Sequence, residues 1–210
     1  MTGLAILIPV KSSDIKSRLT SVLSEPQRRE LARLFLLDVL GAVRGAGLLK
    51  ACHVVSADDM TLNLADRMGA GAIRESGDSG VNAGVALGIS RAKGADDILV
   101  VPSDLPLLRP TDIVRLLALR AAGLDVVVTP SLAFDGTNAL AFSRSSHLPL
   151  SYDDDSFWNH LAAAGRKGLS VGVYSARTVM FDVDTPRDLR LLAQATARSR
   201  SAAFARRTLT

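Results

Sequence analysis

The chain has 210 residues, 48% hydrophobic, 22% charged and only 4% aromatic, a balance that supports one substantial buried core and excludes a disordered, collagenous or disulfide-stapled protein. Its 25 basic and 21 acidic side chains leave a net charge of +4 and a pI near 9.6, well short of a nucleic-acid-coating composition, so the cations are expected to serve a small anionic ligand. A single cysteine, Cys52, permits neither an internal disulfide nor a cysteine-rich zinc cluster, and cytoplasm is the expected compartment.

Leu4 to Val10 is apolar, has no cationic leader and turns charged at Lys11, far short of the roughly 18 residues of a membrane span. It predicts a first strand, and no segment is expected to cross a membrane. The positive mean hydropathy of +0.23 then calls for strands buried on both faces, as in parallel α/β sheets. Ser24-Glu25-Pro26-Gln27 signals a helix start, and Leu31, Leu34, Phe35, Val39, Leu40 and Val43 recur at helical spacing up to Gly45 and Gly47. Alternation continues with a strand at His53 to Val55, a helix from Met60 to Met68, a short Ala72-Ile73 strand, a helix from Ala83 to Ala92, and a buried strand from Asp97 to Pro102. A loop follows, and Pro110 opens a helix through Ala122. Further strands are expected at Asp125 to Pro130, Asn138 to Phe142 and Leu169 to Tyr174, and further helices at Ser156 to Ala164 and from Thr185-Pro186 to Leu192. Without a repeat or linker, residues 1–197 form one domain. Residues 198–210, with four arginines around Phe204, read as a solvated tail. Alternating strands and helices imply parallel neighbours with ligands at the carboxyl ends of the strands.

Several motifs fail. There is no phosphate-binding G-x-x-x-x-G-K-[ST] loop, and Gly69-Ala70-Gly71-Ala72-Ile73-Arg74 lacks the third glycine of a dinucleotide fingerprint. Gly77-Asp78-Ser79-Gly80 resembles a serine-protease nucleophile loop, but Val81 stands where another glycine belongs. His53, His147 and His160 have no metal-ligand spacing.

One constellation survives. The loop leaving the first strand carries Lys11, Lys16 and Arg18, point charges and a guanidinium fork that can hold a triphosphate without a glycine loop. Asp104 follows an apolar strand and lies between Pro102 and Pro106, placed to hold Mg²⁺ or simply to form a turn. Asp182 and Asp184, one residue apart, would point to the same side of an extended segment and repel unless a cation lies between them; Asp184 could instead assist the start of the final helix. Together these residues suit metal-assisted phosphoryl chemistry on a nucleotide.

Seven segments in order, Pro9-Val10-Lys11 with Lys16-Ser17-Arg18-Leu19, Ser24-x-x-x-Arg28, Gly80-Val81-Asn82-Ala83, Ser103-Asp104-Leu105-Pro106-Leu107-Leu108, Gly136-Thr137-Asn138-Ala139-Leu140, Ser156-Phe157-x-x-His160 and Asp182-x-Asp184-Thr185-Pro186-x-Asp188-Leu189, resemble the phospholactate guanylyltransferase family. The resemblance implies an α/β, single-domain, glycosyltransferase-A-like (Rossmann-like) fold, a mixed and mostly parallel sheet with helices on both faces. It implies transfer of GMP from GTP to the phosphate of 2-phospho-L-lactate, or alternatively of phosphoenolpyruvate or 3-phosphoglycerate, for making coenzyme F-420, by a cytoplasmic homodimer. Under the resemblance Pro9, Lys11, Lys16, Arg18, Gly80 and Asn82 contact the nucleotide; Thr137, Asn138, Asp153, Ser156 and His160 the acceptor; and Asp104, Asp182 and Asp184 hold Mg²⁺. Lys11, Lys16, Arg18 and Asp104 would carry the catalysis, and neither a nucleic acid nor a membrane would be a partner.

One segment departs from the family pattern. Relatives have a glycine-containing loop before the Ser-Phe motif, where this chain has Tyr152-Asp153-Asp154-Asp155-Ser156. Carboxylates beside an anionic acceptor cost about 1 kcal/mol per close pair in water and about 4 at an effective dielectric near 20, so they must point away or bind metal. The helix dipole accounts for Asp154 and Asp155, but not for Asp153. Two rival readings stay open: a related nucleotidyltransferase using CTP or a sugar-phosphate or molybdopterin acceptor, and a non-catalytic nucleotide-binding module.

Overall fold

A computed structural model describes residues 3–13, 15–77 and 80–209, so Asp14 of the first loop, Asp78 and Ser79 of the discarded protease-like motif, and Met1, Thr2 and Thr210 lie outside the described residues. The strands are β1 (Gly3–Pro9), β2 (Cys52–Ser56), β3 (Gly71–Arg74), β4 (Ala95–Val100), β5 (Val126–Pro130), β6 (Thr137–Ser143) and β7 (Val171–Val173), in one sheet ordered β3-β2-β1-β4-β6-β5-β7. The helices are α1 (Glu25–Gly45), α2 (Asp59–Met68), α3 (Val81–Arg91), α4 (Pro110–Ala121), α5 (Ser156–Arg166), α6 (Arg177–Met180), α7 (Pro186–Gln194) and α8 (Arg200–Thr208).

Side-chain alternation along the strands divides the core into two layers. Ile6 and Ile8 of β1, Leu99 of β4, Val127 of β5 and Ala139 and Ala141 of β6 face α1, α2, α4, α7 and α8. Ala5 and Leu7, Ile98 and Val100, Val126 and Val128, and Leu140 and Phe142 face α3 and α5. Helix starts follow their local signals. Gln27 Oε1 accepts the Ser24 backbone N–H at 2.8 Å with Pro26 in the first turn of α1, and Thr185 and Asp188 close a reciprocal cap at α7. On α3, Gly88 permits close approach to the sheet, since a Cβ there would lie 3.0 Å from Leu7 and 3.2 Å from Val55.

Strand direction differs from simple alternation at one place. β6 runs antiparallel to both β4 and β5, because residues 131–136 between β5 and β6 are far too few for the crossover of about a dozen residues that a parallel pair needs. With Val100 opposite Leu140, the first residues of β6 lie at the carboxyl end of β4. The reversal brings Thr137 and Asn138 to the same sheet edge as Pro9 and Asp104.

The solvated-tail reading of residues 198–210 is corrected by α8. Asp38 on α1 accepts the backbone N–H groups of Arg200 and Ser201 at 2.9 and 3.0 Å and the Ser201 hydroxyl at 2.6 Å, and Ser199 Oγ caps the Ala202 N–H at 3.2 Å. Ala202, Phe204 and Ala205 are buried in the layer shared with α1 and α7, so the arginines are only the outer face of an amphipathic helix. Phe204→Ala is therefore expected to cost about 3 kcal/mol in urea unfolding. An unchanged midpoint would return the segment to a solvated tail.

Candidate active site

A cleft of about 1020 Å³ opens at the edge where β1 and β4 end and β6 begins. Its walls include Pro9, Lys11, Lys16, Arg18, Asp104, Thr137, Asn138, Asp153, Ser156, Asp182 and Asp184. Gly80, Asn82 and His160, also named from sequence, do not line it, although Val81 does.

Lys16 organises the centre. Its Nζ lies 2.7 Å from Asp104 Oδ2 and 2.8 Å from Asp184 Oδ1, and 5.6 Å from the centroid of the Phe35 ring. Burial by itself would depress the ammonium, but Asp104 and then Asp184 outweigh it and hold the Lys16 pKa above the ordinary lysine value. The backbone at Lys16 is left-handed (φ 49°, ψ 46°), a conformation costing a side-chain-bearing residue about 1 kcal/mol or more. The Lys16 ammonium lines the cleft while paired with two aspartates. Arg18 is exposed, with Nη1 4.0 Å from Asp184 Oδ2, and Lys11 is exposed at the mouth.

Burial pushes Asp184 up, yet Lys16, Arg18 and Lys11 bring it below the ordinary aspartate value. Asp182 goes the other way. Burial first, then the charges of Asp104 and Asp184, raise it from 3.8 to about 6, against opposing hydrogen bonds from the Asn138 amide and its own backbone N–H. Asp184 is not the cap of α7, which Thr185 and Asp188 supply; its carboxylate belongs to Lys16. Three carboxylates against one ammonium leave the centre short of positive charge, and their hard oxygen donors suit Mg²⁺. Among the described residues no three His, Cys, Asp or Glu side chains stand in metal-holding positions, and Lys16 Nζ bridges Asp104 and Asp184.

A hydrogen-bonded stack forms another part of the cleft. Thr137 Oγ1 is 3.0 Å from His160 Nδ1 and accepts the Ser156 hydroxyl at 3.2 Å. His160, placed by sequence among the acceptor contacts, is buried behind Thr137 and acts on it instead. Asn138 lines the cleft and is also a fastening: its amide nitrogen lies within donating distance of the carbonyls of Val179 and Met180, at 3.0 and 2.9 Å, and of Asp182 Oδ1 at 3.2 Å, fixing the segment that carries Asp182. Asn82, expected at the guanosine, spends both ends of its amide on the loop before α5. It accepts the Tyr152 N–H at 2.8 Å and donates to Asp153 Oδ2 at 3.0 Å. That donation supplies the partner that Asp153 lacked in sequence. Asp155 occupies the left-handed position ahead of α5 (φ 56°) and makes no side-chain cap.

Sequence reading missed Asp135 and Ser131, which also line the cleft. Asp135 Oδ1 accepts the Ser131 hydroxyl and the Gly136 N–H, both at 2.6 Å, which hold its carboxyl below the ordinary value and set the turn that delivers Thr137. Its position just ahead of the Gly-Thr-Asn motif was the available signal.

The fold is that of nucleotidyl- and sugar-nucleotide transferases. A nucleotide-diphospho-sugar transferase structure from Desulfovibrio desulfuricans G20 superposes with a TM-score of 0.77 at 21% identity, covering 99% of this chain and 95% of that one. A CMP:2-keto-3-deoxy-manno-octonic acid synthetase complexed with CTP gives 0.61 at 18% identity over 92% and 99%. Residues 4–207 match the family described as guanylyl transferase CofC like, and the chain belongs to that family of nucleotidyltransferases. It is 41% identical to a phosphoenolpyruvate guanylyltransferase of Rubrobacter xylanophilus over 89% of this chain and 91% of the relative. It is 35% identical to a 2-phospho-L-lactate guanylyltransferase of Methanothermobacter thermautotrophicus over 87% and 81%.

The raised Asp182 yields a sign-definite expectation. Between 3.8 and about 6 the folded protein holds a proton that the unfolded chain has lost, so the metal-free protein loses stability as pH rises through that window. Asp182→Asn should match the wild type at pH 4 and exceed it at pH 7 by up to about 3 kcal/mol in denaturant unfolding. Parallel pH profiles for the two proteins would refute the assignment.

Proposed function

We propose that the protein transfers GMP from GTP to the phosphate of a three-carbon phospho-acid, releasing pyrophosphate. The observation that carries this reading is one cleft lined by both the Asp104–Lys16–Asp184 cluster and the Thr137–Ser156 hydroxyls. Phosphoenolpyruvate is the acceptor favoured by the Rubrobacter relative at 41% identity, and 2-phospho-L-lactate the one favoured by the archaeal relative at 35%. A place in coenzyme F-420 assembly follows from the family resemblance.

In this reaction an acceptor phosphate oxygen forms a bond to the α-phosphorus of GTP while the bond from that phosphorus to the β-bridging oxygen breaks, its electron pair leaving with pyrophosphate. The acceptor phosphate is already ionised at neutral pH, so no side chain has to remove a proton. Thr137, its oxygen accepting the Ser156 hydroxyl, holds the acceptor against loss of alignment. Lys11 and Arg18, exposed at the mouth, stabilise the charge gathering on the departing pyrophosphate. Asp104, Asp182 and Asp184 would hold Mg²⁺, which when bound would lower repulsion between the two anionic reactants.

Mass spectrometry of products from GTP, Mg²⁺ and a mixture of 2-phospho-L-lactate, phosphoenolpyruvate and 3-phosphoglycerate tests the proposal: a guanosine diphosphate-linked acid is expected. GTP bound without any such product would favour a non-catalytic module. Asp104→Asn should lower pyrophosphate release by roughly 100-fold or more while leaving the melting temperature close to wild type. Wild-type rates in that variant would remove Asp104 from the chemistry.

A further inference from the structure

The His160 ring is 1% exposed and its two nitrogens meet different partners. The backbone N–H of Ser151 donates to Nε2 at 3.1 Å, so Nε2 carries no proton. The ring proton is therefore on Nδ1, which lies 3.0 Å from Thr137 Oγ1 with the Ser156 backbone carbonyl also beside the ring. An edge-on contact with Tyr152, 4.9 Å between centroids, holds the ring in place. Burial lowers the His160 pKa to about 4, so the ring is neutral at physiological pH and is not a proton shuttle.

The consequence falls on Thr137. Its hydroxyl oxygen accepts from His160 Nδ1–H and from Ser156 Oγ, which uses both lone pairs. Only its proton is left to offer, and Thr137 lines the cleft. We propose that His160 is a positioning residue whose Nδ1–H tautomer makes the Thr137 hydroxyl an obligatory hydrogen-bond donor into the cleft, selecting a ligand that presents an unprotonated, anionic oxygen there. This rests on the reading of that wall as the phospho-acid site. A threonine free to rotate would accept a ligand hydroxyl equally well; this one has no lone pair left for it.

The test separates this inference from the transfer reaction by measuring binding. Calorimetric titration of phosphoenolpyruvate, 2-phospho-L-lactate and 3-phosphoglycerate is made on wild type, Thr137→Val, His160→Leu, His160→Asn and the double variant Thr137→Val with His160→Leu. Loss of one hydrogen bond to a charged group should weaken the bound acid by about tenfold in Thr137→Val and in His160→Leu, with GTP affinity unchanged. The double variant should be no weaker than Thr137→Val within about twofold, since His160 acts through that hydroxyl. His160→Asn, whose amide N–H can take the place of Nδ1–H, should recover most of the affinity. Long-range ¹⁵N–¹H spectra should show His160 as the neutral Nδ1–H tautomer at pH 7. An Nε2–H tautomer, an imidazolium, additive losses in the double variant, equal loss of GTP binding, or no binding of any of the acids by the wild type would overturn the proposal. Acid binding with the expected variant pattern but no product from GTP would overturn the transfer reaction and leave the role of His160 standing.

Discussion

The arrangement of the cleft depends on one buried ammonium. Asp104 arrives at the end of β4 and Asp184 just ahead of α7, two parts of the chain brought together only by the fold, and without Lys16 their charges would oppose the packing that unites them. Desolvating an ammonium and two carboxylates is expensive, so the cluster is poor evidence of added stability. Its value lies in geometry. Lys16 holds the first loop down against Phe35 and keeps two aspartates close while leaving Asp182 without a cation of its own. The two ion pairs tie the loop of β1 to the acidic cluster.

Parts of this were legible in the sequence because their causes are local. The Ser24-to-Gln27 and Thr185-to-Asp188 caps span three residues, and the apolar run of β1 needs no distant partner to be recognised. The three aspartates and the cationic loop could be singled out because strand ends are where α/β sheets place ligands. What escaped was set by distance. The polarity of β6 follows from the length of the turn before it and from the register with β4, neither of which appears in its own alternation. α8 read as solvated because its arginines flank a short run of alanines around a single Phe204, and Asp38, which accepts the N–H groups of its first turn, is 162 positions away from Arg200.

The same separation explains the reassigned side chains. Asn82 and Tyr152 are 70 positions apart, Thr137 and His160 are 23, and Asn138 and Asp182 are 44. Polar residues in family motifs were read as ligand contacts, whereas several of them act one step behind the surface, spending their hydrogen bonds on the residues that do face the cleft. A motif records that a residue type is required without distinguishing touching a substrate from holding what touches it.

The reversed strand β6 divides the labour of the cleft along the chain. The wall with the hydroxyl stack is built from one continuous stretch, running from Ser131 through the turn, β6 and the aspartate loop to His160, while the first loop and the end of β4 come from the segment before it. Under the proposed reading, acceptor chemistry can drift by substitution within this contiguous piece outside Asn138, which holds the Asp182 segment. A family whose members share one nucleotide reaction but differ in the acid they modify is what such a partition would allow.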